Sequence, residues 1–434
     1  MRVCFLLHQG KMSSGGQGVY LSNVTREVAA LGHEVHVMVG PPYPDIAPGI
    51  TMEGIETFSL FDVYGTFGDH FRRRSHPRDF LRPLNFYELV TSRMGMFSGM
   101  SAFSVRAFDR LREIQAERRF DIIHDVQVLG YGTLLTRMCG LPVVANVHHP
   151  LDLDRRNAVI QARSPREKIR WIIFYPFWMQ HVVARRVDRI ITGSHKSAAS
   201  VREAFGLPAQ HIEVIHDGVD TEVFRPLDDV VKAPNEILFV GNSDDRNKGA
   251  RYLIEAMRLL RDEDLHLTFV DKEKGALELV PRLVRRYGLG AKVTFTGRVS
   301  TEQLVRLYNR TQLLVSPSVY EGFGLPAAEA QACGTAVVST TAGALPEVVE
   351  HGETGWLVPP ADAHALAEAI RRLMADAGMR ARMGAAGRQR MVQRFTWRET
   401  ARKTVALYEE VLEKRRSMLV DERAIRAQAA PAAL

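Results

Sequence analysis

Apolar residues in this chain fall into short continuous runs, separated by longer stretches in which they recur every three or four positions. The first run, RVCFLL (2–7), leads into a glycine-rich loop at 10–18, a helical period from about Val19 to Leu31, a stop at Gly32 and a second run, EVHVMV. Unbroken runs of this length suit strands covered on both faces, and the longer period suits the helices that cover them. The alternation returns at DIIHDV (121–126) and PVVANV (142–147). A parallel sheet wrapped by helices is predicted.

A second series begins at EILFVGN (236–242) and continues through HLTFV (266–270), KVTFTG (292–297), QLLVSP (312–317), TAVVST (335–340) and GWLVP (355–359), with helical segments between. Periodicity lapses across HDGVDTEVFRPLDD (216–229), around Gly218 and Pro226, which marks a hinge. The expected organisation is one doubly wound α/β domain over 1–225 and a second over 226–395. A helix over 396–418, TWRETARKTVALYEEVLEKRR, and an Ala-rich, frayed tail over 419–434 complete it. Doubly wound sheets bind ligands at the carboxyl ends of their strands, so the chemistry is expected in a cleft bordered by both domains.

Composition narrows this little. Of 434 residues, 46% are apolar and 25% charged, as in an ordinary globular protein. The 57 Lys and Arg against 50 Asp and Glu leave +7, which suits anionic phosphates or an anionic membrane surface. No nucleic-acid-binding module accompanies that charge, so nucleic acid is excluded as a partner. Cys4, Cys139 and Cys333 are odd in number and show no metal-ligand spacing, which points to a reducing, cytoplasmic setting. The amino terminus reads as a strand rather than a signal peptide. The apolar patch IRWIIFYPFWMQHVV (169–183) contains Arg170 and Pro176 and falls short of the ~20 residues of a bilayer span.

Candidate chemistry gathers in SVYEGFGLPAAEAQACGTAVVST (318–340). Gly322 and Gly324 allow a tight turn after Glu321, Pro326 suits a first helical turn, and Gly334 ends the helix. A helix start of this kind can hold a phosphate oxygen. Glu329, inside that short apolar helix, needs a partner, because an unpaired buried carboxylate costs several kcal/mol; sugar hydroxyls would serve. In FVGNSDDRNKG (239–249), Arg246 and Lys248 lie between a strand end and a helix start, where a diphosphate would sit. The loop with Gly15, Gly16 and Gly18 is compatible with backbone approach to a phosphate, but it is not the G-x-G-x-x-G of a dinucleotide site.

The E-x7-E spelled by Glu321 and Glu329, followed by A-C-G-T-A-V-V, resembles the signature of retaining GT-B glycosyltransferases of family 4, the glycosyl transferases group 1. The likeness extends over 295–360, over VIHDGVDTEVFRP (214–226) and over GGQGVYLSNVTREVAALGHEVHV (15–37). It implies a GT-B fold, with two Rossmann-like domains facing across a cleft and the last helix returning to the first domain. It also implies a retaining hexosyltransferase that uses a UDP- or GDP-sugar as donor, without a cofactor or a metal.

By the same resemblance, Glu321 contacts donor-sugar hydroxyls and Glu329 the ribose. Lys248 matches the family's lysine, and Arg246 is proposed to replace the arginine common where this chain has Asn242. Gly16, Gly18, Asn242, Val299, Gly322, Phe323, Gly324 and Leu325 would complete the donor site. His148 in ANVHHPLDLDR (145–155) would face the reacting sugar, and His149 and Asp125 would contact the acceptor. VDKEKGAL (270–277) lacks the glycines the family often has there, a departure on the nucleobase side.

In such enzymes the leaving phosphate oxygen helps deprotonate the incoming hydroxyl on the same face, so no protein nucleophile is needed. The acceptor is expected to be a glycan or lipid-linked hydroxyl. The mixture of arginines with Phe, Met and Leu in 62–108 suits either a peripheral contact with anionic membrane or a helix covering the core. Two other readings compete: a non-catalytic sugar-nucleotide binder, favoured by Asn242, and a GT-B-like epimerase or phosphorylase.

Overall fold

The computed structural model describes residues 1–10, 12, 16–57, 78, 81–162, 164–243, 245–271 and 279–429. Gly15, much of the 62–108 stretch, residues 272–277 and the last five residues of the tail therefore lie outside the described residues.

The chain forms two compact units. The first comprises Met1–Gly193, Ala198–Ile215 and Ala401–Leu434; the second comprises Ser194–Ser197 and His216–Thr400. The change of unit near the middle of the chain falls between Ile215 and His216, earlier than the residue 225 expected from sequence. The reason lies in packing. Val219 pairs with Thr396, and Phe224 lies 6.1 Å from the Tyr308 ring, so the aperiodic segment already belongs to the second unit.

The first unit holds β1 (Arg2–Leu7), β2 (Glu34–Val39), β3 (Thr51–Gly54), β4 (Ile122–Val126), β5 (Val143–Asn146), β6 (Arg189–Thr192) and β7 (Ile212–Val214). All pairings are parallel and the order is β3-β2-β1-β4-β5-β6-β7. β4 is buried at every position and β1 at every position after Arg2, as strands covered on both faces require. A core of Leu6, Phe97, Phe103, Ile123, Ala145 and Val183 fills one face.

The second unit holds β8 (Glu236–Val240), β9 (His266–Val270), β10 (Val293–Phe295), β11 (Leu313–Ser316), β12 (Ala336–Thr340) and β13 (Gly355–Val358). Its order, β10-β9-β8-β11-β12-β13, repeats that of the first six strands of the other sheet. Both are the dinucleotide-fold order, with the switch point beside the first strand of each unit.

The last helix runs Trp397–Ala429 rather than stopping at 418. Strong helix formers extend it without a core-facing pattern. From Ala401 it belongs to the first unit, where Tyr408 hydrogen-bonds His124 Nδ1 on β4. Cys4 and Cys333 are buried, Cys139 is exposed, and all three are free thiols. Among the described residues no helix is long and apolar enough to cross a membrane.

Candidate active site

In the second unit, a 3₁₀ turn (Arg246–Lys248) leads from β8 toward the helix Ala250–Leu259. Asp245 opens it by accepting from Asn247 N at 2.9 Å. Gly249 closes it at φ +66, where a Cβ would stand 1.9 Å from Pro317 O. Only glycine lets this turn lie against the end of β11. Asn247 O then accepts from Val319 N at 2.7 Å and Tyr320 N at 3.3 Å, joining the two loops.

That junction brings Lys248 onto Glu321. Its Nζ donates to both carboxylate oxygens, at 3.0 and 2.8 Å, and Ser318 Oγ donates to Oε2 at 3.1 Å. Burial alone would lower the lysine pKa, but the Glu321 carboxylate outweighs it and the net shift is upward. An ammonium has three protons, so one remains for a ligand oxygen after Glu321 takes two. Glu321 is fixed from behind by Ala344 N, which donates to its carbonyl at 3.0 Å. Gly343 permits this approach, since a Cβ there would lie 2.0 Å from the Glu321 carbonyl oxygen.

Gly324, at φ 105, begins the helix Leu325–Ala332. Pro326 has no N–H and Ala327 N donates to Gly324 O at 3.0 Å, so Leu325 is the donor left in that first turn. Glu329 follows on the same helix. Its Oε2 accepts from the buried Tyr308 hydroxyl at 2.7 Å. Burial raises the Glu329 pKa to about 7, and the tyrosine bond opposes the rise. The partner foreseen as a sugar hydroxyl is thus partly supplied by the protein.

The other expected donor residues spread over this region. Asn242 and Gly322 are half-buried near the two loop bends, and Val299 and Leu325 pack partly against the core. Phe323 departs from the expectation of ligand contact: its side chain is buried in that core, 5.9 Å from the Phe395 ring, and only its backbone belongs to the turn. Arg246 is exposed on the 3₁₀ turn, and among the described residues it forms no ion pair.

In the first unit, Gly16 caps the helix Gln17–Ala30 and Gly18 is buried in its first turn. Tyr20, one turn further on, meets His148 edge to face at 5.1 Å. His148 is desolvated and lies beside His149, which holds its pKa down to about 3, so it is neutral near pH 7. Gln127 clamps the loop: its Oε1 accepts from His148 N at 2.9 Å and its Nε2 donates to His149 O at 3.0 Å. His149 Nε2 bonds Asp154 at 2.9 Å within the same segment.

Asp125 corrects the expectation of an acceptor contact. It is completely buried, and its oxygens accept from Val128 N (2.6 Å), Leu129 N (3.0 Å) and Thr133 Oγ1 (2.6 Å). It holds a turn in which Gln127 and Leu129 take positive φ, a conformation that costs roughly 1–2 kcal/mol per non-glycine residue. Sequence reading missed Tyr308, Ser318, Gln127 and Gly343. Gln127 alone carried a local signal, as a polar residue just past a buried strand.

In the second unit His195, His216 and Glu347 place donor atoms within 4.8 Å of one another. The Glu347 oxygens already accept from His195 N, Lys196 N and His216 Nε2 at 3.0–3.1 Å, so the carboxylate serves backbone and imidazole there.

Two parallel-sheet Rossmann-like units and a terminal helix that rejoins the first define the GT-B class. Residues 222–390 match the family model Glycosyl transferases group 1, and residues 14–223 match Glycosyltransferase Family 4. The MMP alpha-(1->4)-mannosyltransferase of Mycolicibacterium hassiacum is 36% identical over 95% of this chain and 98% of its own length. A D-inositol 3-phosphate glycosyltransferase of Arthrobacter sp. is 30% identical over 94% of each chain. Sucrose-phosphate synthase from Thermosynechococcus elongatus has a similar structure, with a TM-score of 0.73 and 23% identity over 95% of this chain and 100% of that one. Anabaena Alr3699/HepE, solved in complex with UDP, gives 0.68 and 19% over 94% of this chain and 100% of that one. The chain belongs to the group 1/family 4 glycosyltransferases and is a hexosyltransferase of GT-B fold.

Proposed function

We infer that this enzyme moves a mannosyl unit from a nucleoside-diphosphate sugar to a hydroxyl of a glycan or lipid-linked acceptor, with retention of configuration and without a divalent metal. The mannosyl choice follows the Mycolicibacterium hassiacum relative, and UDP or GDP as the nucleotide follows the resemblance to the family. The observation that carries the reading is the Lys248–Glu321 pair at 2.8 Å beside the Gly324 helix start.

When the C1–O bond to the diphosphate breaks, charge develops on the departing oxygen. The third Lys248 proton and the Leu325 amide are donors suited to that charge, strengthened by a low-dielectric setting. Arg246 on the adjoining turn can fold onto the same phosphates. Glu321, oriented by Lys248 and Ser318, accepts from sugar hydroxyls, and Glu329 from ribose. The acceptor hydroxyl attacks C1 on the face the diphosphate leaves, and its proton passes to the leaving phosphate oxygen. His148, neutral near pH 7, suits a hydrogen bond to the sugar better than an ionic one. A cytoplasmic enzyme in peripheral contact with anionic membrane fits the basic net charge.

The test is a thermal-shift screen with UDP, GDP, ADP and their sugars, followed by NMR of the product from the donor that binds. A shift confined to one nucleotide, reduced in Glu329→Ala, and an α-linked product made in EDTA are expected. No shift with any sugar nucleotide would sink the reading in favour of a lost donor site.

A further inference from the structure

The first unit contains a cavity of about 450 Å³ that none of the chemistry above uses. Its walls come from the helices Pro83–Arg93, Gly99–Arg118, Pro165–Phe174 and Phe177–Ala184 and from Tyr131 at the start of Tyr131–Met138. Phe97, Phe174 and Met179 form the floor, each at most 4% exposed. Tyr87, Tyr131, Ile173 and Trp178 form the rim and are 40–67% exposed. Lone exposed apolar residues are commonplace, but a ring of them around an apolar hollow of single-ligand size marks a binding site.

Its place in the fold indicates what it serves. The floor reaches the carboxyl edge of the first sheet, where Phe97 lies 5.5 Å from the His8 ring just past β1. Tyr131 directly follows the Asp125 turn, whose Gln127 clamps the His148 loop. Two of its walls therefore adjoin residues of the edge that carries His148. Basic residues stand on the helices that contribute to its walls, outside the hollow itself; one of them, Arg170, lies 3.9 Å from Glu167 and over the Trp171 ring. Arg166, Lys168 and Arg170 stand exposed on the helix that supplies Ile172 and Ile173, and Arg93 ends the helix that supplies Tyr87.

We propose that this cavity binds the alkyl chain of an anionic lipid acceptor, with the cations on the flanking helices, outside the aromatic rim, meeting its phosphate-bearing head. Naming the ligand as acceptor rests on the transferase reading; the binding of an alkyl chain does not. Aliphatic and aromatic walls supply affinity through burial of methylenes, and the four cations supply charge complementarity outside the hollow.

The test uses full-length protein and n-alkyl phosphates from butyl to dodecyl, kept below micelle formation and followed by tryptophan fluorescence and calorimetry. Kd should fall about threefold to fourfold per added methylene until the hollow is full. In Ile173→Asp that slope should flatten, costing the longest chain at least tenfold and butyl phosphate little. Arg170→Glu should weaken all chain lengths by a similar factor and leave the slope intact. Trp178→Ala, at an exposed position, provides a second rim variant should Ile173→Asp melt early. A Kd independent of chain length, or the same slope in both rim variants, overturns the proposal. So does flotation with phosphatidylglycerol vesicles in the absence of monomer binding, which assigns a flat membrane contact instead. Nucleotide thermal shifts in the same variants should match wild type. Their absence in every protein would strike the transferase reading alone.

Discussion

The two sheets share a strand order yet use polar side chains in opposite ways. In the second unit, groups past the strand ends bond to other side chains: Lys248 holds Glu321 and keeps a proton in reserve, and Glu329, bonded to Tyr308, is left with a pKa near 7. In the first unit, the polar groups at the same edge are consumed by the backbone. Asp125 satisfies its own turn, Gln127 clamps the histidine loop, and what remains is a neutral imidazole beside an apolar hollow. One scaffold therefore yields an ionic cluster or an apolar hollow according to whether the residues past its strands bond other side chains or their own backbone. That division suits the proposed reaction, in which the donor is a nucleoside-diphosphate sugar and the acceptor carries an alkyl chain.

Substitutions in the two units should separate along the same line. Lys248→Ala should lower kcat about 10²- to 10³-fold, as removal of a donor to developing charge does, and should also lower the melting temperature because Glu321 is left with Ser318 alone, a loss that adding Glu321→Gln recovers without recovering kcat. Recovery of kcat together with thermal stability would make the pair structural. Asp125→Ala should act on stability, costing about 2–4 kcal/mol in urea unfolding while leaving the KM for the donor near wild type, because three donors lose their acceptor in a buried site.

The pH dependence of donor binding sharpens the contrast. In the proposed donor site ribose hydroxyls donate to the ionised form of Glu329, and its pKa near 7 means the free protein is increasingly protonated as pH falls. Nucleotide affinity should thus fall toward tenfold per pH unit below about 7, with proton release detectable by calorimetry in two buffers. Glu329→Gln should bind more weakly and without that slope. Tyr308→Phe is the mildest change, at about 1 kcal/mol of stability; by removing the bond that opposes the rise, it should push the midpoint of the pH profile upward.

Much of this architecture could be read from the apolar runs. Every strand of the second sheet lies within a predicted run, because buried parallel strands announce themselves as unbroken apolar segments. β3, β6 and β7 escaped for the complementary reason. β3 is largely exposed at the sheet edge, β6 (RIIT) has only two apolar residues, and β7 (IEV) fully buries only Ile212. The boundary was misplaced because Val219 and Phe224 pack on residues far along the chain. The motif around Glu321 was legible because its glycines and carboxylates are close in sequence. Tyr308 stood 21 positions from the carboxylate it serves, and Gly343 matters only through a carbonyl it nearly touches. Asp125 was misread because a carboxylate past a strand looks the same in sequence whether it faces a ligand or its own turn.

The return of the final helix to the first unit has a consequence for biosynthesis. The segment that begins the chain and the segment that ends it belong to one body, with the second unit encoded as an insertion between them. On a ribosome the second unit can fold as soon as Thr400 clears the exit tunnel, whereas the first cannot bring Tyr408 to His124 until later residues follow. The domain made first is thus the one finished last. A chain stalled or clipped near residue 400 would release a complete second domain joined to an unfinished first one.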